Sequence, residues 1–297
     1  MSSRIFLSLL FLLHIGCDRV RAENARPSGR ADDRGSVVAA NNQEIPFELS
    51  HSFLIVVRGR LGPLDSLKFI LDTGTSRSVV DRKTAEKLDL QRHPAYIGHF
   101  GQEVSVEGAT FPEVQFGPIQ AASVPMLIAD LRRFSEFAWE ADAIIGMDLL
   151  RSASFLIDYE TQKIQFRNVM PNALDRLGKG PLGLFVNLEI QGHPVRLMVS
   201  TGVQGILLYE ERLRGRKPRL KTVGKTGAGA TMGWQLRGRL ATVRGIHLGD
   251  GDTERSVFFA DDDPTEVPDD IVGLLGIAAL KARRVEFDFS TNRLRWQ

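Results

Sequence analysis

From about residue 53 onwards, the chain alternates short apolar runs with turn-forming residues. Two such runs cover residues 53–57 and 67–71, and Gly62 and Pro63 lie between them. Runs of this length, rich in branched and aromatic side chains and bounded by Gly and Pro, are typical of β-strands. Helical periodicity is scarce, and residues 84–90 are the clearest candidate for one short helix. The pattern therefore predicts a mainly β protein.

Three short sequences occur twice along the chain, in the same order and at nearly constant spacing. The first is an apolar strand that ends in X-Thr-Gly, the second is an apolar-apolar-Gly strand, and the third is an Asp-aromatic-x-Thr turn. Their two copies are residues 69–74 and 197–202, residues 143–146 and 273–276, and residues 158–164 and 288–294. The offsets are 128, 130 and 130 residues, counted from Asp72, Gly146 and Asp158. Repetition at a fixed period indicates internal duplication, so we expect two copies of one structural unit.

The repeat and the local composition predict the domain boundaries. A single core rarely exceeds roughly 250–300 residues, which also favours two lobes in a chain of 297 residues. We expect the first lobe at residues 48–168, a Gly- and Pro-containing linker at 169–181, and the second lobe at 182–297. Residues 23–47 have few large apolar side chains and are predicted to be a flexible spacer.

Residues 1–22 are predicted to be an export signal. Arg4 precedes an apolar run at residues 5–15, which is shorter than the ~20 residues of a membrane span. Small residues favour cleavage before Glu23. A second interpretation is a lipoprotein signal that ends before Cys17, the only cysteine, which would then carry a lipid anchor. Because the rest of the chain has no cysteine for a disulfide, we expect a bacterial location, either the cell envelope or periplasm or the secreted fraction.

The first X-Thr-Gly copy resembles the catalytic loop of aspartic peptidases of the retropepsin-like and pepsin-like kind. The motif Asp-Thr-Gly-Thr-Ser at residues 72–76 follows an apolar strand, and the apolar-apolar-Gly copy at 144–146 lies downstream. The resemblance implies two mainly β, retropepsin-like lobes in tandem, related by a pseudo-two-fold axis. It also makes Asp72 the catalytic residue. The residues that it implies support the catalytic loop are Thr73, Gly74, Thr75 and Ser76.

The second copy departs from this family at the residue that matters most for catalysis. Hydrolysis of a peptide bond without a metal needs a base for the attacking water and an acid for the carbonyl, and two carboxylates that share one proton supply both. The second copy has Ser200 in place of the second aspartate, followed by Thr201 and Gly202. A serine hydroxyl does not titrate near neutral pH. A site formed by Asp72 and Ser200 is therefore predicted to have lost most of its catalytic power.

Two functions remain open from the sequence. The first is an aspartic endopeptidase that is active when Asp72 residues from two chains meet in a homodimer of first copies. The second is a catalytically inactive protein that binds extended peptides in the cleft between its own two lobes. A tethered second lobe has an effective concentration on the order of mM, which favours pairing within the chain. Both functions have a peptide or a protein as the partner.

Glycine-rich turns between the landmarks are candidates for flaps over the cleft, although ordinary hairpin turns have the same composition. In the first copy the candidates are Gly98, His99, Phe100 and Gly101, and in the second they are Gly229, Gly233 and Trp234.

Charge and the remaining motifs argue against several other classes. The chain has 38 basic and 36 acidic residues, and the two balance once residues 1–22 are removed, so no nucleic-acid partner is expected. The six histidines lack metal-ligand spacing, and we expect neither a metal nor a cofactor. Met198 replaces the first glycine that a Gly-x-Ser-x-Gly nucleophile motif around Ser200 would need.

Overall fold

The computed structural model describes residues 43–99, 102–133, 140–169, 184–213, 218–231, 234–248, 254–261, 267–291 and 293–297. The predicted export signal, Cys17, most of the predicted spacer and nearly all of the predicted linker lie outside the described residues, so these assignments stay predictions.

The described residues are mainly β-strands, which confirms the predicted fold class. In the first half the strands are β1 (Glu44–Pro46), β2 (Glu48–Ser50), β3 (Leu54–Leu61), β4 (Leu64–Leu71), β5 (Val79–Asp81), β6 (Arg92–His99), β7 (Gln102–Phe116), β8 (Ile119–Ala129), β9 (Ala143–Ile145), β10 (Ala153–Asp158) and β11 (Lys163–Val169). In the second half they are β12 (Phe185–Ile190), β13 (His193–Ser200), β14 (Ile206–Tyr209), β15 (Leu220–Thr231), β16 (Trp234–Val243), β17 (Arg255–Ala260), β18 (Ile271–Gly276), β19 (Arg284–Asp288) and β20 (Arg293–Trp296).

The helices are short. Among the described residues there are two one-turn α-helices, α1 (Arg82–Ala85) and α2 (Met147–Leu150), and three 3-10 turns, at Leu131–Arg133, Glu210–Leu213 and Ile277–Leu280. The helix predicted at residues 84–90 is therefore wrong in its bounds. Asp81 caps α1 by accepting from the Lys83 backbone N–H, so the helix begins earlier than expected. After Ala85 the α-helical bonds give way to turn bonds from the Lys87 and Leu88 N–H groups to the carbonyls three residues earlier.

Each copy of the repeat forms one large sheet with the same central arrangement. The first copy has the strand order β2-β3-β4-β9-β5-β8-β7-β6, and the second has the order β12-β13-β18-β14-β17-β16-β15. In both, the strand that precedes the X-Thr-Gly loop runs parallel to the apolar-apolar-Gly strand, which in turn runs antiparallel to the strand that follows the loop. Each X-Thr-Gly loop therefore emerges beside the glycine of its own copy.

A third sheet joins the two copies within the chain. Its five strands have the order β1-β11-β10-β19-β20, and the antiparallel β10–β19 ladder crosses from one copy to the other. In that ladder Leu156 lies opposite Glu286, which is its own equivalent at the repeat offset of 130 residues. Phe155 lies opposite Phe287, the equivalent of Ile157. A two-fold rotation exchanges equivalent residues and leaves one pair of equivalent residues opposite each other. The pseudo-two-fold axis therefore passes through the Leu156–Glu286 pair.

The main apolar core continues from one copy into the other. Phe155, Phe166 and Phe287 are all buried in it, and the Phe155 and Phe287 ring centroids are 4.9 Å apart. Aromatic rings in this range of separations stabilise a core beyond the area that they bury. The two lobes are therefore held together by a shared core as well as by a shared sheet.

The strands that lead to the two X-Thr-Gly loops are buried on both faces. In β4, Phe69 and Leu71 face the main core, whereas Ile70 belongs to a separate apolar cluster. Met198 has the corresponding position in β13 and belongs to its own cluster. Because side chains alternate along a strand, burial on both faces fixes the register of each strand and hence the position of the loop that follows.

Candidate active site

The predicted catalytic residue and its counterpart are brought together at the base of the two lobes. Asp72 follows β4 directly, and its backbone N–H donates to the Ile145 carbonyl at 3.0 Å. Ser200 is the last residue of β13 and pairs with Gly276 of β18. Asp72 and Ser200 are both completely buried. The geometry of each residue is therefore set by the sheet of its own copy.

The Asp72 carboxylate accepts four hydrogen bonds. Its Oδ1 accepts from the Gly74 N–H at 2.8 Å, the Ser200 hydroxyl at 2.9 Å and the Gly202 N–H at 3.2 Å. Its Oδ2 accepts from the Thr75 hydroxyl at 2.8 Å. Two of these donors come from each copy, so the carboxylate is oriented by both lobes at once.

The contact between the lobes is so close that two positions accept only glycine. A Cβ added at Gly74 would lie 2.5 Å from the Ser200 oxygen, and a Cβ at Gly202 would lie 2.5 Å from Asp72 Oδ2. The Gly202 N–H also donates to the Ser200 oxygen at 3.0 Å. Gly202, the glycine of the second X-Thr-Gly loop, is therefore required by the close approach of Asp72 to this loop.

The two threonines of the repeat form a symmetrical set of hydrogen bonds between the lobes. The Thr73 N–H donates to Thr201 Oγ1 at 3.1 Å, and the Thr201 N–H donates to Thr73 Oγ1 at 3.2 Å. Each hydroxyl then donates to a carbonyl of the opposite copy: Thr73 to Val199 at 3.2 Å and Thr201 to Leu71 at 2.7 Å. All four hydrogen bonds cross from one copy to the other within one chain.

Burial and hydrogen bonding have opposite effects on the pKa of Asp72. Removal from water raises the pKa of Asp72 to about 6, although the hydrogen bonds from Gly74, Thr75, Ser200 and Gly202 act in the opposite direction. The sequence pointed only to the missing like-charged neighbour, which removes one cause of a raised pKa. Here desolvation of the carboxylate raises the pKa of Asp72 without a like-charged neighbour.

Ser78 and Asp148, which hold the end of this loop, were missed from the sequence. The Asp148 carboxylate accepts from the Ser78 N–H at 2.8 Å and from the Ser78 hydroxyl at 2.7 Å. At the repeat offsets, the second copy has Ile206 and Ala278 in these positions. A comparison of the two copies could have found the pair, because both polar residues occur in the copy that carries Asp72 and neither occurs in the other.

The flap candidates lie at the tips of two long hairpins, as far as they are described. Gly98 and His99 end β6, which pairs with β7, and Gly229 and Trp234 lie in the β15–β16 hairpin. The other three candidates, Phe100, Gly101 and Gly233, lie outside the described residues. The role of these hairpins as flaps stays a prediction.

The described part of the chain has neither a cluster of metal-ligand side chains nor a membrane-spanning helix. There, no three His, Cys, Asp or Glu side chains are grouped so as to hold a metal ion. No helix among the described residues has the length and apolar character needed to cross a membrane.

The comparisons with known proteins concern about half of the chain or less. Residues 57–149, which include Asp72 and the apolar-apolar-Gly landmark, match the family model of aspartyl proteases. The match lies within the first copy and confirms the resemblance seen in the Asp-Thr-Gly-Thr-Ser motif. A retropepsin-like aspartic protease from Rickettsia conorii, known from its crystal structure, is similar to this chain at 17% identity and a TM-score of 0.33. The similarity covers 46% of this chain and 98% of the other. No curated protein matches the chain.

Proposed function

We propose that this protein binds extended peptides in the cleft between its two lobes, and that its own Asp72–Ser200 site hydrolyses them far more slowly than a site with two aspartates. The observation that carries the proposal is the Ser200 hydroxyl, 2.9 Å from Asp72 Oδ1, in the place that the pseudo-two-fold relation gives to a second carboxylate.

The chemistry of the pair supports slow hydrolysis or none. Above pH about 6 the Asp72 carboxylate is ionised and can accept a proton from water, but no second carboxylic acid is available to protonate the substrate carbonyl. Below that pH Asp72 is protonated and can donate, but no carboxylate is then available to activate the water. The Ser200 hydroxyl cannot fill the missing role in either state, because it does not titrate in this range.

Peptide binding needs less than catalysis, and two features of the fold support it. The outer strands β6 and β15 are edges of the two large sheets. An extended peptide can add to a sheet edge through its main-chain groups. The Thr73–Thr201 hydrogen bonds keep the two lobes in contact below such a cleft.

The test is to separate binding from cleavage in the same protein. A library of fluorescent peptides is incubated with the wild type and with Asp72→Asn between pH 4 and pH 8. Binding is followed by anisotropy and cleavage by mass spectrometry. We expect peptides that bind the wild type without products above the level of Asp72→Asn. Cleavage that depends on Asp72 in a dilute monomer contradicts the proposal.

A second candidate function is an endopeptidase formed by two first copies from different chains. The family match favours it, because the match covers the first copy and that copy keeps the full motif at residues 72–76. Such a dimer would have to give up the threonine hydrogen bonds between the lobes and the β10–β19 ladder of the single chain. Its signature is an activity per molecule that rises with protein concentration and is indifferent to Ser200→Ala.

We also propose that the protein is exported. The support is the charged start and the apolar run of residues 1–22, followed by a spacer-like composition. The N-terminus of the protein extracted from cells tests this proposal. We expect a mature chain that starts at Glu23 or at a lipidated Cys17, whereas a retained Met1 on a cytoplasmic protein contradicts both.

A further inference from the structure

A buried acid behind the Asp72 loop has no part in the chemistry described so far. Asp148 lies in the first turn of α2, is 5% exposed, and accepts from both donors of Ser78 and from the Leu149 N–H at 3.0 Å. The Arg77 Nε atom lies 4.0 Å from Asp148 Oδ2. A buried carboxylate is costly unless it is hydrogen-bonded, and these donors offset that cost. The two hydrogen bonds from Ser78 tie the end of the 72–78 loop to the start of α2, and the third lies within α2.

The same short segment holds the loop at several other points. The Met147 N–H donates to the Thr75 carbonyl at 2.7 Å, and the Asp148 N–H donates to the Ser76 carbonyl at 3.2 Å. The Gly146 N–H donates to the Ser78 hydroxyl at 3.0 Å. Backbone contacts hold the middle of the loop, and the Asp148 side chain holds its far end.

Thr75 connects this attachment to the Asp72 carboxylate. Its hydroxyl donates to Asp72 Oδ2, and its N–H donates to the Asp72 carbonyl at 3.2 Å. Because the Thr75 carbonyl accepts from α2, a shift of the loop relative to α2 moves a donor of the carboxylate. The attachment at Ser78 is therefore coupled to the geometry of Asp72 through a few consecutive residues.

The second copy provides a natural comparison. There the loop is held beside the apolar-apolar-Gly strand by the Gly276 N–H, which donates to the Gly205 carbonyl at 2.8 Å. Ile206 and Ala278 take the places of Ser78 and Asp148. The Asp148–Ser78 contact thus occurs only in the copy whose loop carries the Asp72 carboxylate.

We propose that Asp148, acting through Ser78, is a positioning residue that holds the loop so that Gly74 and Thr75 donate to the Asp72 carboxylate. The proposal concerns the geometry of Asp72, and it holds whether or not the protein binds or cleaves peptides.

Amide hydrogen exchange in the full-length protein tests the proposal directly. The Gly74 N–H reports on the loop, and the N–H of the fully buried Phe166, which donates to the Gln43 carbonyl, reports on general stability. In Asp148→Asn we expect the Gly74 rate to rise about tenfold relative to the Phe166 rate, the size expected for a lost hydrogen bond to a charged acceptor. Ser78→Ala removes a smaller group and is expected to raise the same ratio.

Asp142→Asn is the matched control. Asp142 likewise accepts from a backbone N–H and a hydroxyl, those of Lys68 and Thr84, but it lies at the opposite end of β9 from the 72–78 loop. We expect this variant to leave the ratio within about twofold of the wild type. Equal acceleration of Gly74 and Phe166 in Asp148→Asn, or the same ratio in the control, overturns the proposal.

The titration of Asp72 provides a second readout, which a purely structural role would not change. Followed through the NMR shift of its carboxyl carbon, the midpoint is expected to rise above about 6 in Asp148→Asn, because weakened hydrogen bonds from Gly74 and Thr75 no longer lower the pKa of the buried carboxylate as far. It is expected to stay in place in Asp142→Asn. An unchanged midpoint in a folded Asp148→Asn also overturns the proposal.

Discussion

The Ser200 hydroxyl donates a hydrogen bond to Asp72 Oδ1 across the boundary between the two copies, with 2.9 Å between the oxygens. The contact is buried, and it sits on a frame of loops, glycines and threonines that both copies retain. The chain therefore keeps the architecture of a two-aspartate site with one acid replaced by an alcohol. The predictions below test the charge of Asp72, the frame around it and the effect of the replacement.

The raised pKa of Asp72 makes folding stability depend on pH. A carboxyl whose pKa is about 6 in the folded state and 3.8 in the unfolded state favours folding fully below pH 3.8, and this contribution is lost as the pH rises through 6. The difference is worth up to about 3 kcal/mol for a group without solvent screening. The free energy of unfolding of Asp72→Asn, relative to that of the wild type, is therefore expected to increase by up to about this amount when the pH is raised from 4 to 7.5.

Urea unfolding at both pH values measures this difference. The comparison of wild type and variant cancels the contributions of all other titrating groups that the substitution leaves in place. A stability difference that is the same at pH 4 and pH 7.5 contradicts a raised pKa at Asp72.

The threonine hydrogen bonds between the lobes are expected to act as a unit. Thr73→Val and Thr201→Val each remove a hydroxyl that both donates and accepts, and each should cost about 1–3 kcal/mol because buried partners lose their hydrogen bonds. The double variant should cost less than the sum of the two, since both substitutions disrupt the same set of bonds. Denaturant unfolding of the four proteins of this double-mutant cycle measures the coupling, and strict additivity contradicts it.

The shared core predicts that the two lobes unfold together. Phe155→Ala removes a buried ring that packs on Phe287 of the other copy, and it should cost about 3–5 kcal/mol. Tyr96→Ala is the control, since this aromatic side chain is 57% exposed and its loss should change stability by about 0.5 kcal/mol or less. Calorimetry should show one transition that shifts in Phe155→Ala. Two separate transitions, of which one stays in place, contradict a shared core.

Much of the central arrangement could be predicted from the sequence, because it depends on a repeated local pattern. An apolar strand that ends in X-Thr-Gly and a downstream apolar-apolar-Gly strand are visible in the sequence, and their duplication predicts that Ser200 lies opposite Asp72. The landmarks alone do not indicate the Asp148–Ser78 pair, which requires a residue-by-residue comparison of the two copies. The two residues are 70 positions apart, and the glycine landmark on which the sequence argument relied does not extend to either of them.

The charge of Asp72 also needed the structure. The sequence shows which charged neighbour is missing, but it does not show that the carboxylate is completely buried, and burial is the main cause of its raised pKa. Similarly, the start of α1 is set by the N-cap residue Asp81, and which residue caps a helix depends on local geometry more than on hydrophobic periodicity.

Peptidase activity after restoration of the second acid tests the central claim most directly. Specific activity is measured against protein concentration, between pH 3 and pH 8, for the wild type, Ser200→Asp, Ser200→Asn and Ser200→Asp combined with Asp72→Asn. We expect Ser200→Asp alone to hydrolyse peptides at acidic pH, at a rate per molecule independent of concentration, because Thr201 and Gly202 already hold the second loop in place. The other three proteins should share one low background. A wild type that cleaves as a dilute monomer, or a folded Ser200→Asp that still binds peptides but does not cleave them, contradicts the claim that the missing carboxylate limits this site.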